Sequence, residues 1–263
     1  FDNGIYFGEY FNNENGSPVS IYKRESKGEW TPIFTFGNSR IGHIHNLIVD
    51  NFRNCIWIFT GDKDKHVGIW KAEGNFEKVF AILKGDQKFR ACIALPLKDR
   101  IIYATDSQEK SNAIYEIIFH ENDNISLNKI VNVEGSVIYG TLFKDHFVCS
   151  TSVEPDMSIK TSGFNIKYGN NTITISLMDL FNNKPGKGIK SNYSTIFIYD
   201  YINREFKEIK RNKKDLLPFI PFQFGSIIFP TGMEKSDYLI YFNVGLQKND
   251  CDTIIHEVVE NGK

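Results

Sequence analysis

Two histidines separated by one residue, His43-Ile44-His45, carry the first hint of chemistry in this chain. On an extended strand, alternate side chains point the same way, about 6.5–7 Å apart. Two imidazoles so placed can share a metal ion or flank a bound ligand. Asp62, Asp64 and His66 follow and would complete a mixed nitrogen and oxygen donor set suited to zinc, manganese or iron. No cofactor is expected, and His43 and His45 are read first as a ligand-facing or catalytic pair; were a divalent metal bound, His43, His45 and Asp62 would hold it. The competing use is structural, with one histidine bonded to a neighbouring carboxylate. No motif demands any other cofactor.

Carboxylates supply a second chemistry. Glycoside hydrolysis needs a pair, one to protonate the leaving oxygen and one to attack or activate water. Glu9, Asp62, Asp106 and Glu154 are the candidates. Each has a plain alternative, since acids at strand ends commonly bond loop amides. Arg90 offers a planar fork for a ligand carboxylate, or a salt bridge to Asp106 across a hairpin. Tyr10, Tyr139 and Gln223 are candidate ligand contacts. Lys184-Pro185-Gly186-Lys187-Gly188 lacks the spacing and the following Ser or Thr of a phosphate loop.

Short β-rich runs broken by Gly, Asn, Asp and Lys must position these residues. They recur at a period of roughly 45 residues. The clearest unit reads as strands His43–Val49, Ile56–Thr60, Val67–Lys71 and Phe76–Leu83. The next reads Arg90–Leu95, Ile101–Thr105, Ala113–Phe119 and Leu127–Val133. A third begins at Val137–Phe143 and Phe147–Thr151 and resumes at Thr195–Tyr201 and Glu205–Ile209. Gly4–Tyr10, Val19–Arg24 and Trp30–Phe36 form an incomplete unit, as do Phe222–Phe229, Tyr238–Val244 and Thr253–Val259. Repeated four-stranded units predict an all-β chain, a β-propeller of five or six blades. A β-sandwich pair is the second choice. The chain is expected to be a single domain, 1–263, with a rim insertion at about 154–193 that covers a site. Within that insertion, Thr172–Phe181 can form a strand or short helix.

In a hairpin the start of the first strand lies beside the end of the second. His43 and His45 then face Thr60-Gly61-Asp62, and Arg90 faces Asp106 and Ser107. Ser136 and Tyr139 face Thr151 to Glu154. Strand two of the first unit ends at Glu9-Tyr10, and Gln223 enters strand one of the last. In a propeller these ends gather on one rim.

Composition excludes several partners. With 31 basic against 32 acidic residues, net charge is −1, so nucleic acid and anionic membrane have no electrostatic claim. No run approaches the ~18–20 apolar residues of a membrane span. Cys55, Cys92, Cys149 and Cys251 form no CxxC pair or zinc pattern and are expected to be free thiols, which favours a cytoplasmic setting. The chain begins at Phe1, as expected of a trimmed start, and is expected to be monomeric.

Taken together, His43-Ile44-His45, Thr60-Gly61-Asp62, Arg90-Ala91, Thr105-Asp106-Ser107 and Ser152-Val153-Glu154-Pro155 resemble the sialidase-like, BNR-repeat β-propeller proteins. More narrowly, they resemble a group of these found among bacterial surface-polysaccharide genes. Glu25-Ser26-Lys27-Gly28-Glu29-Trp30 resembles a degenerate Asp-box turn. The resemblance implies a propeller that binds or acts on glycans. A sialidase would need three arginines and a tyrosine–glutamate nucleophile pair; here only Arg90 and Arg40 are placed for the arginines, a departure from that pattern, and Tyr139 with Glu154 is the candidate pair. The expected function is a carbohydrate-active enzyme acting on a bacterial or complex polysaccharide. As a hydrolase it would use two of Asp62, Asp106, Glu154 and Glu9. As a lyase it would use His43, His45 or Tyr139 as base, with Arg90 neutralising a uronate. The alternative is a non-catalytic glycan-binding or scaffold propeller.

Overall fold

The computed structural model describes residues 4–25, 28–121, 124–156, 164–168, 171–175, 184–219, 222–231 and 236–257. The protein is all-β, with five antiparallel sheets of three or four strands, none of them closed on itself. The Asp-box-like turn falls on Ser26 and Lys27, which lie outside the described residues. The chain divides into two compact units, one made of residues 1–107 and 113–132, the other of 108–112 and 133–263.

The first unit holds three sheets. β1 (Ile5–Gly8), β2 (Val19–Arg24) and β3 (Thr31–Phe36) form one. β4 (His43–Asp50), β5 (Cys55–Gly61), β6 (Gly68–Glu73) and β7 (Lys78–Lys84) form the second in sequential order. β8 (Ala91–Pro96), β9 (Arg100–Thr105), β10 (Asn112–Phe119) and β11 (Ile125–Val133) form the third, also sequential. β5 explains the layering. Its alternate residues Ile56 and Ile58 join an apolar cluster with Val19, Ile21 and Phe36 of the first sheet. Cys55, Trp57 and Phe59 point the other way, into a cluster with Ala91, Ile101 and Tyr103 of the third. Because successive strand residues face opposite sides, a sheet apolar on both faces packs between two others. β5 is accordingly buried along its whole length.

The second unit repeats the plan. β12 (Ser136–Phe143) and β13 (His146–Ser152) lead to a separate hairpin, β14 (Phe164–Tyr168) with β15 (Asn171–Ile175). The sheet then resumes with β16 (Tyr193–Asp200) and β17 (Glu205–Lys213). β18 (Ser226–Ile228), β19 (Tyr238–Val244) and β20 (Thr253–Glu257) make the last sheet. Phe143, Val148, Ile196 and Ile198 of the first of these sheets pack with Ile227, Leu239 and Tyr241 of the second. The ends of the expected insertion are zipped together, Asp156 N–H to Lys184 O at 2.9 Å and Gly186 N–H to Glu154 O at 2.9 Å. The apolar stretch expected at Thr172–Phe181 is β15 as far as Ile175, and 176–181 lie outside the described residues.

The expected strands are present within a few residues at each end, and the Val258 and Val259 end of the last lies outside the described residues. Among the described residues, no helix is long and apolar enough to cross a membrane. All four cysteines are free; Cys55 and Cys149 are buried, Cys92 is half-buried and Cys251 is exposed.

Candidate functional site

The start of β4 and the end of β5 build the centre of the site in the first unit. His43 pairs with Gly61, as the hairpin register predicts. His45 does not continue the regular alternation. Ile44 pairs with Thr60 and Asn46 with Phe59, so His45 is the extra residue of a β-bulge. A bulge re-aims a side chain, and the two imidazoles are far closer than an ideal strand would set them. Their Nε2 atoms stand 3.0 Å apart. Gly61 makes room, because a Cβ there would lie 2.5 Å from His45 Cε1.

Asp62, just past β5, turns Oδ1 towards both rings, 3.4 Å from His43 Nε2 and 3.3 Å from His45 Nε2. Arg90 Nη2 lies 3.1 Å from the same oxygen. Burial pushes the Asp62 carboxyl up, but the hydrogen bonds from His43 and His45 and the Arg90 charge outweigh it and hold it well below the usual carboxylate range. Asp62 is therefore an anion at neutral pH, although half of its side chain is exposed. Tyr10, 70% exposed, lays its ring over His43 with centroids 4.1 Å apart. Burial of its hydroxyl and the Asp62 charge raise the phenol pKa, so it keeps its proton.

A matching hairpin supports this centre from behind. Asp106 N–H bonds Arg90 O at 2.9 Å, the pairing expected between the start of β8 and the end of β9. The Arg90 Nε to Asp106 Oδ2 distance is 3.4 Å, so the expected cross-hairpin salt bridge is present. Cys92 occupies a second bulge, with Ala91 opposite Thr105 and Ile93 opposite Ala104. Its Sγ lies 3.2 Å from Asp106 Oδ2 and 3.5 Å from His45 Nδ1. Asn46 Nδ2 donates to Cys92 O at 2.7 Å and ties the two bulges together. Gln87, almost fully buried, donates to Asp62 O at 2.7 Å and accepts from Ser107 Oγ at 3.0 Å. A cleft lined by Asn12, Asn15, Lys63, Lys65, His43 and Asp62 opens beside the centre.

Other expected residues have different employment. Glu9 spends its carboxylate on Ser20 N–H at 2.7 Å and Tyr22 Oη at 3.3 Å, while its backbone O accepts from Ile44 N–H. It anchors β4 through the main chain. Asp64 and His66 form a 3₁₀ turn (Asp64–His66), and neither belongs to a group of converging ligand atoms among the described residues. The buried His66 has its pKa lowered by burial and by Lys65 and Lys63. Arg40 lies over the Trp70 ring, 5.3 Å from its centroid.

Glu154, Tyr139 and Gln223 belong to the second unit. Glu154 is buried, accepting from Ser136 Oγ and, at 2.9 Å, from Gln108 Nε2. Tyr139 pairs with Ser150 rather than with the Thr151–Glu154 stretch, and its ring packs on the Phe143 and Val148 cluster. A register shift between Ser136 and Tyr139 accounts for this. Gln223 is exposed in the loop before β18.

Sequence reasoning missed Cys92 and Gln87 as members of the site. Cys92 carried a signal, since it follows His45 by 47 positions, as Arg90 follows His43. Gln87 carried none. No family model matches the chain, and no curated protein is detectably similar to it.

Proposed function

We propose that this protein is a carbohydrate-active enzyme that cleaves an acidic polysaccharide by elimination, at the His43–His45–Asp62 centre of the first unit. The observation that carries the reading is the convergence of His43, His45 and Arg90 on one oxygen of Asp62, with the Tyr10 ring laid over His43 at the exposed edge. Held between two imidazoles and a guanidinium, Asp62 stays ionised and is unsuited to protonate a leaving oxygen as a hydrolase acid must. The cluster instead supplies basic groups, and a protonated phenol at its exposed edge. In an elimination the centre takes the proton α to the uronate carboxylate. The electron pair of that C–H bond becomes the new C=C bond, the C–O bond to the leaving sugar breaks, and Tyr10 gives its proton to the leaving oxygen. The proton returns from the centre to Tyr10 for the next cycle. Lys63 and Lys65 line the opening and offset the uronate charge, while Arg90 orients Asp62 and Asp106. The amides of Asn12 and Asn15 suit sugar hydroxyls.

The repeated sheets are read as blades of a β-propeller. Support comes from the sequential strand order within each four-stranded sheet, interrupted only by the β14–β15 hairpin, and from the bulges that recur in the first strands of successive sheets.

The test is incubation with uronate-containing polysaccharides, bacterial capsular material among them. The expected result is an ultraviolet-absorbing unsaturated product that His45→Ala abolishes while the variant stays folded. New reducing ends without unsaturation would instead indicate a hydrolase. Binding without any cleavage would make the protein a glycan-binding module, and either result overturns the reading.

A further inference from the structure

His43 Nε2, His45 Nε2 and Asp62 Oδ1 form a nearly equilateral triangle with edges of 3.0, 3.3 and 3.4 Å. Zinc bonds nitrogen and carboxylate oxygen at about 2.0–2.2 Å, so the edges of a tetrahedral zinc site are about 3.3 Å. Without a cation, a proton on either Nε2 is donated to the other ring or to Asp62 Oδ1, which lies within 3.4 Å of both. A cation satisfies both lone pairs at once, and that of the carboxylate too.

The surroundings meet further requirements of a metal site. A ligating histidine generally gives its other ring N–H to a carboxylate or similar acceptor. His45 Nδ1 faces Cys92 Sγ at 3.5 Å and Asp106 Oδ2 at 3.9 Å. The second oxygen of Asp106 is buried without a hydrogen-bond partner. Arg90 Nη2 reaches the same Asp62 oxygen at 3.1 Å and helps to fix the carboxylate. His43 and Asp62 both line the cleft, which gives an entry path and room for a fourth, non-protein ligand.

A second set, His45 Nδ1, Cys92 Sγ and Asp106 Oδ2, also converges. Its edges reach 3.9 Å, and both His45 and Asp106 are closed off from solvent, which leaves little room for a fourth ligand. It serves as the support behind the first set.

We propose that His43, His45 and Asp62 bind one divalent transition-metal cation, zinc being the natural probe, in a three-ligand site with an open position facing the cleft. This deepens the elimination reading and rests on it only for its chemical consequence. Held by these three residues, the cation would supply at its open position a water of lowered pKa, able to act as the base of the centre.

The experiment uses the full chain, stripped with a chelator and dialysed. Zinc is titrated calorimetrically, and cobalt(II) is added separately to read visible absorption. We expect one equivalent of zinc and the intense spectrum of tetrahedral cobalt. His45→Ala and Asp62→Asn should lose at least 100-fold in affinity, and circular dichroism should report each fold intact. Asp106→Asn, which keeps all three ligands, should lose roughly 10- to 100-fold. Cys92→Ser should keep the stoichiometry. Absence of zinc binding by the wild type, loss of the site in Cys92→Ser, or unchanged affinity in both ligand variants overturns the proposal. Since zinc binding is read without substrate, bound metal with no unsaturated product would sink the elimination reading alone. Unsaturated product from stripped protein that binds no zinc would sink the metal site alone.

Discussion

Both imidazoles and Arg90 meet at one oxygen of Asp62. Opposite it, Tyr10 reaches the mouth of the centre from the loop after β1 and packs on His43. Since that side chain is mostly exposed, truncating its hydroxyl removes little packing. Tyr10→Phe should therefore unfold at the same urea midpoint as the wild type. It should lower kcat on a uronate polymer by about 100-fold or more, as loss of a general acid does, with a smaller effect on KM. Steady-state kinetics beside a urea melt would check this, and an unchanged kcat would remove Tyr10 from the proton path.

Hairpins carry the positional accuracy that the site needs, and their turns are built to hold register. At the β4–β5 turn, buried Asp50 accepts from Phe52 N–H at 3.0 Å, Arg53 N–H at 3.1 Å, Arg53 Nη1 at 2.7 Å and Trp57 Nε1 at 2.8 Å. Arg53 then reaches the next hairpin through Leu97 O at 3.0 Å. Asp200 holds the β16–β17 turn of the second unit in the same way, accepting from Ile202 N–H and Asn203 N–H, each at 2.9 Å. Removing the Asp50 carboxylate strands the N–H of fully buried Trp57 and the Arg53 charge. Asp50→Ala should lower unfolding free energy by about 3 kcal/mol, read as a shift in the urea midpoint. A loss below about 1 kcal/mol would mean that water satisfies these donors.

At the scale of the molecule, each compact unit carries its own buried thiol. Burial pushes Cys55, in the first unit, and Cys149, in the second, up to about 12. Only the thiolate reacts, so both are doubly protected, by access and by charge state. In the native protein near neutral pH a disulfide reagent should modify exposed Cys251 at once and leave Cys55 and Cys149 untouched until denaturant opens their units. Peptide mapping across a urea series reads the two units separately. Native-state modification of Cys55 as fast as that of Cys251 would contradict the packing of β5.

Much of this was legible from residue order alone. Alternation and turn residues marked nearly every strand, and counting back from the turns put His43 and His45 opposite Thr60 to Asp62 and Arg90 opposite Asp106 and Ser107, where His43 and Arg90 are found. Those features are local, fixed by side-chain period and turn position. The meeting of the two Nε2 atoms was not legible, because it depends on an extra residue at His45 that no pattern announces. That bulge is stabilised from another sheet, by Asn46 reaching Cys92 O, and from across the hairpin, by the missing Cβ of Gly61. Gln87, Cys92 and the anionic state of Asp62 depend in the same way on partners distant in the chain. The sequence by itself determined the strands, their pairing and the residue types available for chemistry. Only the tertiary structure decided which of them converge, because convergence is a property of sheets packed against one another, where a one-residue bulge moves a ring by several ångströms.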